Sequence, residues 1–351
     1  MTMWKTCLLG AVAAVLALGA QVRADDVRIQ GTGATFPAPL YAKWIEKYNA
    51  DHPGVKIDYQ AIGSGGGIKA ITDKTVQFGA SDAPMNAEQE KAAAGIVHLP
   101  TVGGPEVLIY NVPGLTNLKL NGEVIAGIYL KQIRNWNNEK IAALNPGVSL
   151  PDAPIVVVHR SDGSGTSYIF TDYLPKVSPE WKEKVGKGTS VQWPVGLGGN
   201  GNPGVTTTVK NTAGGIGYVE YAYAKTNNLT YATLINKNGK ESSPTIENIV
   251  AATDATLKEG FPENMKVSIT NAGGDASYPI CGYTYLLIYD DLSYMKDKNL
   301  ALQTVQFIAW CETDGQGMAA DLNYAKLPKD AQDKVIAKLK TIKFDGETLL
   351  K

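Results

Sequence analysis

The sequence predicts an α/β fold with two lobes facing one cleft. Three observations carry this reading. A short alternating or apolar segment runs into a glycine-rich loop and then into apolar positions at helical spacing, and this junction recurs four times. Three of the junctions fall within residues 31–84 and the fourth at 160–167, separated by a long apolar, proline-dotted stretch that places the two groups in different lobes. The chain has 351 residues and is 44% hydrophobic, enough for two domains of ordinary size.

The elements follow in order. Val27-Arg-Ile-Gln30 alternates as a strand, Gly31-Thr-Gly-Ala-Thr-Phe36 is the loop, and Pro37 and Pro39 open a helix whose apolar side is Leu40, Tyr41, Trp44, Ile45 and Tyr48. Val55-Lys-Ile-Asp-Tyr59 leads into Gly63-Ser-Gly-Gly-Gly67, after which Ile68, Ile71 and Thr72 share a helical face. Val76-Gln-Phe78 leads into Gly79-Ala-Ser-Asp82; beyond Pro84, the pair Asn86 and Gln89 resembles a capping box opening a helix to about Ala94. Ile155-Val-Val-Val158 leads into His159-Arg-Ser-Asp-Gly-Ser-Gly-Thr-Ser167, and Tyr168, Ile169, Phe170, Tyr173 and Leu174 form an amphipathic helix closed by Pro175. Trp193-Pro-Val-Gly-Leu-Gly-Gly-Asn-Gly-Asn-Pro-Gly204 is too rich in glycine to be regular and reads as a loop of the second lobe.

Charge and targeting narrow the function classes. The formal net charge is −1, from 33 basic and 34 acidic residues, so there is no general attraction to nucleic acid or anionic lipid and no basic stripe. Met1-Thr-Met-Trp-Lys-Thr6 followed by the charge-free run Cys7–Ala20 and Val22-Arg-Ala24 reads as a secretory signal over residues 1–24. Cys7 stands at the start of the apolar run, not at its end where a lipid-modified cysteine belongs. A soluble exported protein is expected. Cys281 and Cys311 remain after cleavage, and either a disulfide or two buried thiols is compatible with their spacing. His52, His98 and His159 have no ligand spacing with them, so no metal site is expected.

The loops have a shared chemistry. A helix N-terminus presents unpaired N–H groups and partial positive charge, so one preceded by Gly, Ser and Thr is suited to an anion. Arg160 supplies forked donors for two oxygens of a tetrahedral anion, and Asp162 can hold its guanidinium. Asp82 would repel an anion unless that anion carries a proton for it to accept, which selects phosphate over sulfate. Enzyme readings lack parts. Gly79-Ala-Ser-Asp-Ala83 has Ala83 where a nucleophile elbow needs glycine, and Gly186-Lys187 and Gly239-Lys240 are followed by Gly188 and Glu241, not the Ser or Thr of a P-loop.

Six motifs in order carry a family resemblance. Gly33-Ala-Thr-Phe-Pro-Ala-Pro39, Gly63-Ser-Gly-Gly-Gly67, Phe78-Gly-Ala-Ser-Asp-Ala-Pro84, Arg160-Ser-Asp-Gly-Ser-Gly-Thr-Ser167, Trp193-Pro-Val-Gly-Leu-Gly-Gly199 and Gly217-Tyr-Val-Glu-Tyr-Ala222 resemble the periplasmic phosphate-binding proteins of high-affinity phosphate ABC transporters. The likeness runs from about residue 28 to Leu322-Asn-Tyr-Ala-Lys-Leu-Pro328. It implies a two-lobe periplasmic binding protein of type II, each lobe a mixed sheet flanked by helices. Lobe 1 would comprise residues 25–103 and 285–351, and lobe 2 residues 104–284. It implies phosphate contacts from Thr35, Phe36 (backbone N–H), Ser64, Asp82, Arg160, Ser164, Gly165 (backbone N–H) and Thr166, with Asp162 pairing the arginine. Gly65 stands where some relatives have a second serine, and the cysteines are a further departure. The implied partners are inorganic phosphate and an inner-membrane permease with its ATPase, for a monomer without cofactor or catalytic residues. Another tetrahedral oxyanion, arsenate or sulfate, and an exported phosphatase are the competing readings.

Overall fold

The computed structural model describes residues 26–351, so the expected signal over residues 1–24 lies outside the described residues. The first third builds a parallel unit: β1 (Val27–Gly33), α1 (Ala38–Asp51), β2 (Val55–Ala61), α2 (Ser64–Thr72), β3 (Phe78–Ser81), α3 (Ala87–Ala92) and then β4 (Ile96–Asn111). β1 pairs in parallel with β2 on one side and β3 on the other, so the three strands end at the same edge of the sheet. A second parallel set follows β5 (Lys119–Asn121), α4 (Gly122–Tyr129) and α5 (Glu139–Leu144). It contains β6 (Val156–Arg160), α6 (Gly165–Val177), α7 (Pro179–Lys184), β7 (Leu197–Gly199), α8 (Gly201–Asn211) and β8 (Gly215–Glu220). The chain closes with α9 (Tyr221–Thr226), β9 (Thr233–Ile235), β10 (Glu241–Ser242), α10 (Ile246–Thr256), β11 (Cys281–Tyr289), α11 (Lys298–Glu312), β12 (Ala325–Lys326), α12 (Lys329–Leu339) and the hairpin β13 (Lys343–Phe344) and β14 (Glu347–Thr348).

One long strand joins the two sets. β4 pairs antiparallel with β11 from Ile96 to Pro105 and with β8 from Glu106 to Asn111, giving the order β2-β1-β3-β11-β4-β8-β6-β7. Its near-continuous burial explains the unbroken apolar character of Val107–Ile109, since a strand covered on both faces has no polar side to alternate with. The mixed α/β architecture expected of two lobes is present. Each half has its own aromatic core. Tyr41, Trp44 and Tyr48 of α1 pack with Phe78 and Phe307 in the first. Phe170 stacks on Tyr218 at 4.3 Å between centroids in the second, beside Tyr129, Trp181 and Trp193. That second core reaches the functional edge directly, because the Tyr218 hydroxyl accepts the Arg160 N–H (3.1 Å) and bonds the Ser167 hydroxyl (2.6 Å).

Local expectations are corrected in three places. Pro175 lies inside α6 rather than closing it; the proline removes one N–H in the last turn, and the helix runs on to Val177 before Ser178 caps the next one. The Trp193–Gly204 segment is not irregular throughout: Leu197–Gly199 pairs in parallel with β6, and α8 begins at Gly201, whose φ of +66° suits glycine. The third glycine segment is not a loop from Gly79, because Phe78–Ser81 forms β3, while the Asn86–Gln89 capping box starts α3 at Ala87 as its spacing predicts. Cys281 and Cys311 are both buried free thiols, and Cys281 donates to the Tyr278 carbonyl at 3.3 Å. Among the described residues no helix is long and apolar enough to cross a membrane.

Candidate anion-binding site

The carboxyl ends of both parallel sets face one another. Thr35 and Phe36 follow β1, Ser64 is the first residue of α2, Asp82 follows β3, Arg160 ends β6, and Ser164, Gly165 and Thr166 are the N-cap and first turn of α6. All eight are buried, Phe36, Ser64, Ser164 and Thr166 without measurable exposure. The two groups touch: Gly65 N–H donates to the Gly163 carbonyl at 2.8 Å. A Cβ at Gly165 would lie 2.5 Å from Asp82 Cβ, so this approach of the two groups requires glycine there. Gly63, at φ +94° and with its missing Cβ aimed at Asp162 and Gly163, meets the same requirement on the other side.

Arg160 is held more completely than its sequence context suggests. Its Nε donates to Asp162 Oδ1 (2.8 Å), Nη2 to Asp162 Oδ2 (2.5 Å) and Nη1 to Thr166 Oγ1 (3.1 Å). Of five N–H donors, three are thus used within the protein, and one remains on each of Nη1 and Nη2, an end-on pair for two oxygens of a ligand. Burial raises the Asp162 pKa, but the bonds and charge of Arg160 and the Gly201 N–H (3.0 Å) outweigh it, and the carboxyl sits below the ordinary range. The fork facing Asp162 fixes the plane of the guanidinium before any ligand arrives.

Asp82 is the opposite case. Its own N–H donates to Ser64 Oγ (3.1 Å), yet both carboxylate oxygens are buried without a hydrogen-bond partner. Burial pushes its pKa up to about 7, against the nearby hydroxyl of Thr284, the charge of Arg160 and the hydroxyl of Ser64. A buried acceptor left open beside a surrounding set of donors is an incomplete arrangement that a ligand carrying a proton completes. Ser164 Oγ accepts from the Ser167 N–H at 2.9 Å, which leaves its own proton to donate outward.

Several residues at this site were not legible in the sequence. Asn202, in the first turn of α8, is fully buried and donates through Nδ2 to Thr35 Oγ1 (2.9 Å) and Thr166 Oγ1 (3.0 Å). Tyr223 OH donates to the Thr35 carbonyl (2.5 Å), and Tyr324 OH bridges the Phe36 carbonyl (2.7 Å) and Glu220 Oε2 (2.9 Å). Behind them Glu106 and Glu220 stand opposite each other on β4 and β8. Glu106 has no partner for either oxygen and burial raises its pKa well above normal; burial also raises Glu220, to about 8. Burial therefore favours the neutral acid of Glu106 in the fold, while the unfolded chain releases that proton above the ordinary value of 4.5. The sign follows: the folded state binds more protons, so wild-type stability falls as pH rises above that value. Glu106→Gln, an isostere of the neutral acid, is expected to remove this loss. Thermal unfolding at pH 5 and pH 8 checks it: a melting temperature at pH 8 equal to or above wild type is predicted, and a fall of several degrees contradicts it.

The histidines are accounted for elsewhere. His159 Nδ1 lies 2.9 Å from the Arg160 carbonyl with its ring stacked on Trp193, and His98 Nε2 accepts from the Met85 N–H at 3.0 Å. Neither bonds to Ser164 or Ser64, whose hydroxyls are engaged with backbone N–H groups. Among the described residues no cluster of three potential metal ligands occurs.

Comparison with known proteins places this chain in a family. Residues 19–313 match the model of the PBP superfamily domain. The "Phosphate-binding protein PstS" of Pasteurella multocida is 45% identical over 325 residues, covering 92% of this chain and 93% of the relative. That of Haemophilus influenzae is 41% identical over 329 residues, covering 93% and 97%. Among solved structures, the "Phosphate-Binding Protein from Stenotrophomonas maltophilia" superposes with a TM-score of 0.69 at 21% identity, covering 89% of this chain and 94% of that one; this likeness concerns the fold.

Proposed function

We propose a function for this chain from one premise: it belongs to the PBP superfamily and, within it, to the PstS phosphate-binding proteins. It binds inorganic phosphate and supplies it to a phosphate ABC transporter as the substrate-binding component. The observation that carries this reading is the composition of the buried site: Arg160 Nη groups, the hydroxyls of Thr35, Ser64, Ser164 and Thr166 and the N–H groups of Phe36 and Gly165 can donate, and Asp82 alone stands ready to accept. Phosphate near neutral pH offers several bare oxygens and one protonated oxygen, which matches that set. Sulfate and arsenate are the competing ligands; fully deprotonated sulfate has nothing to give Asp82, whereas arsenate is protonated like phosphate.

The site holds its ligand without converting it. Support comes from the engagement of His159 and His98 away from Ser64 and Ser164 and from the relatives' names, which are those of binding proteins. Our reading of the lobes assigns residues 25–103 and 285–351 to one and 104–284 to the other, supported by the point where β4 exchanges β11 for β8. The bonds from Gly65 to Gly163 and from Asn202 to Thr35 support reading these lobes as closed on one another. We further place the mature protein in the periplasm after removal of residues 1–24, as a monomer that docks on an inner-membrane permease and its ATPase. Isothermal titration with phosphate, paired with incubation on a chromogenic phosphate ester, tests the proposal. Saturable heat at one site with no ester turnover is expected; turnover above the buffer rate would reassign the chain to the phosphatases.

A further inference from the structure

Asn202 contacts both halves of the site through a single amide. Its backbone N–H (3.1 Å) and Nδ2 (2.9 Å) both donate to Thr35 Oγ1. The second Nδ2 hydrogen goes to Thr166 Oγ1 at 3.0 Å, where Arg160 Nη1 also donates at 3.1 Å. The orientation of the amide is fixed independently: Oδ1 accepts from the Glu220 backbone N–H at 3.0 Å. A backbone N–H can only donate, so the atom facing it is the oxygen and the atom between the threonines is the nitrogen.

We infer that Asn202 is a positioning residue that fixes the hydroxyl protons of Thr35 and Thr166 toward the bound anion. A hydroxyl has two acceptor lone pairs and one proton. In Thr35 both lone pairs receive Asn202 donors; in Thr166 one receives Asn202 and the other Arg160. Neither hydroxyl has acceptor capacity left, and each proton must point at a third partner. A rotatable hydroxyl that suits donors and acceptors alike thereby becomes a committed donor. Thr166 shares its lobe with Asn202 and Arg160, so its rotor is ordered before binding, whereas the Thr35 rotor is ordered as the lobes meet; both lower the cost of organising the site around its ligand. This also ties the two groups of loops, since Thr35 follows β1 and Thr166 lies on α6.

The inference rests on the phosphate reading, and its test separates the two. Phosphate is titrated into wild type, Asn202→Ala, and the same substitution in Thr35→Val and Thr166→Val backgrounds. Asn202→Ala is expected to lower affinity roughly tenfold to a hundredfold in the wild-type background, the range for orphaned buried hydrogen-bonding groups. In either valine background the loss should shrink at least threefold, because one of the two hydroxyls through which Asn202 acts is gone. A purely structural role through the Glu220 N–H predicts the same loss in every background, and that result overturns the inference. Should the alanine variant fail to fold, Asn202→Asp keeps the acceptor for Glu220 but cannot donate when ionised. The same cycles run on it are expected to show the same coupling, and strict additivity overturns the inference equally. Absence of phosphate binding by the wild type would reject the functional reading instead.

Discussion

Replacing Arg160 by alanine is expected to lower phosphate affinity by roughly a hundredfold to several thousandfold, about 3–5 kcal/mol, the range for removing one member of a buried hydrogen-bonded ion pair. Two losses combine. The ligand loses the end-on pair of Nη donors, and Asp162, held below the ordinary carboxylate range chiefly by this guanidinium, becomes a partly buried anion left with backbone N–H groups such as that of Gly201. The second loss also falls on the ligand-free protein, so thermal unfolding without phosphate should register part of it. Arg160→Lys keeps the charge but cannot use two donors on Asp162 and still offer two outward. Its affinity is expected between those of alanine and wild type. Isothermal titration of the three proteins checks the ranking, and near-wild-type affinity in the alanine variant would remove Arg160 from the site.

The second large effect concerns selectivity. Asp82→Asn is expected to reduce the phosphate-over-sulfate ratio by roughly a hundredfold, about 3 kcal/mol, mainly through tighter sulfate binding, because an amide can donate where a carboxylate cannot. Phosphate itself should change less, since Asn Oδ1 still accepts its proton. The elevated value of about 7 for Asp82 adds a pH dependence. Above it the carboxylate is ionised and excludes sulfate; below it the neutral acid can donate to a sulfate oxygen. Wild-type discrimination is therefore expected to weaken from pH 8 to pH 5, and the asparagine variant to lack that trend. For the ligand-free fold the sign is the one given for Glu106: the proton held in the native state is lost from the unfolded chain above the ordinary value of 3.8. Stability should fall from there to about pH 7 and level off, and the asparagine variant should be free of this loss. A selectivity ratio unchanged by the substitution would sink the role assigned to Asp82.

What the sequence disclosed followed the range of the interactions involved. Proline-led helix starts, the Gly63 junction and the Asn86–Gln89 box are local devices, decided within a few residues, and they were readable, whereas Gly31–Gly33 and Gly79–Ser81, read as loops, are drawn into β1 and β3 by strand pairing. The Arg160–Asp162 pair lies two residues apart and was readable for the same reason. Asn202 was not, because its partners Thr35 and Thr166 are 167 and 36 residues away and it sits in a glycine-rich stretch whose strand and helix are imposed by pairing with β6. Glu106 left a trace that went unread: a single charged residue next to the apolar run Val107–Ile109 marks a polar group buried in a strand. Pro175 misled because position in the helix, not the residue alone, decides whether proline ends it. The two cysteines could not be resolved by spacing, since pairing depends on a distance only the fold sets.

The central claim is that a buried ring of committed donors with one open acceptor holds protonated phosphate and rejects sulfate. Titrating the chain lacking residues 1–24 with phosphate at pH 8, in the presence and absence of a large excess of sulfate, tests it most directly. The account predicts one phosphate per chain and an isotherm unchanged by sulfate. Competitive displacement of phosphate by sulfate at that pH would contradict it.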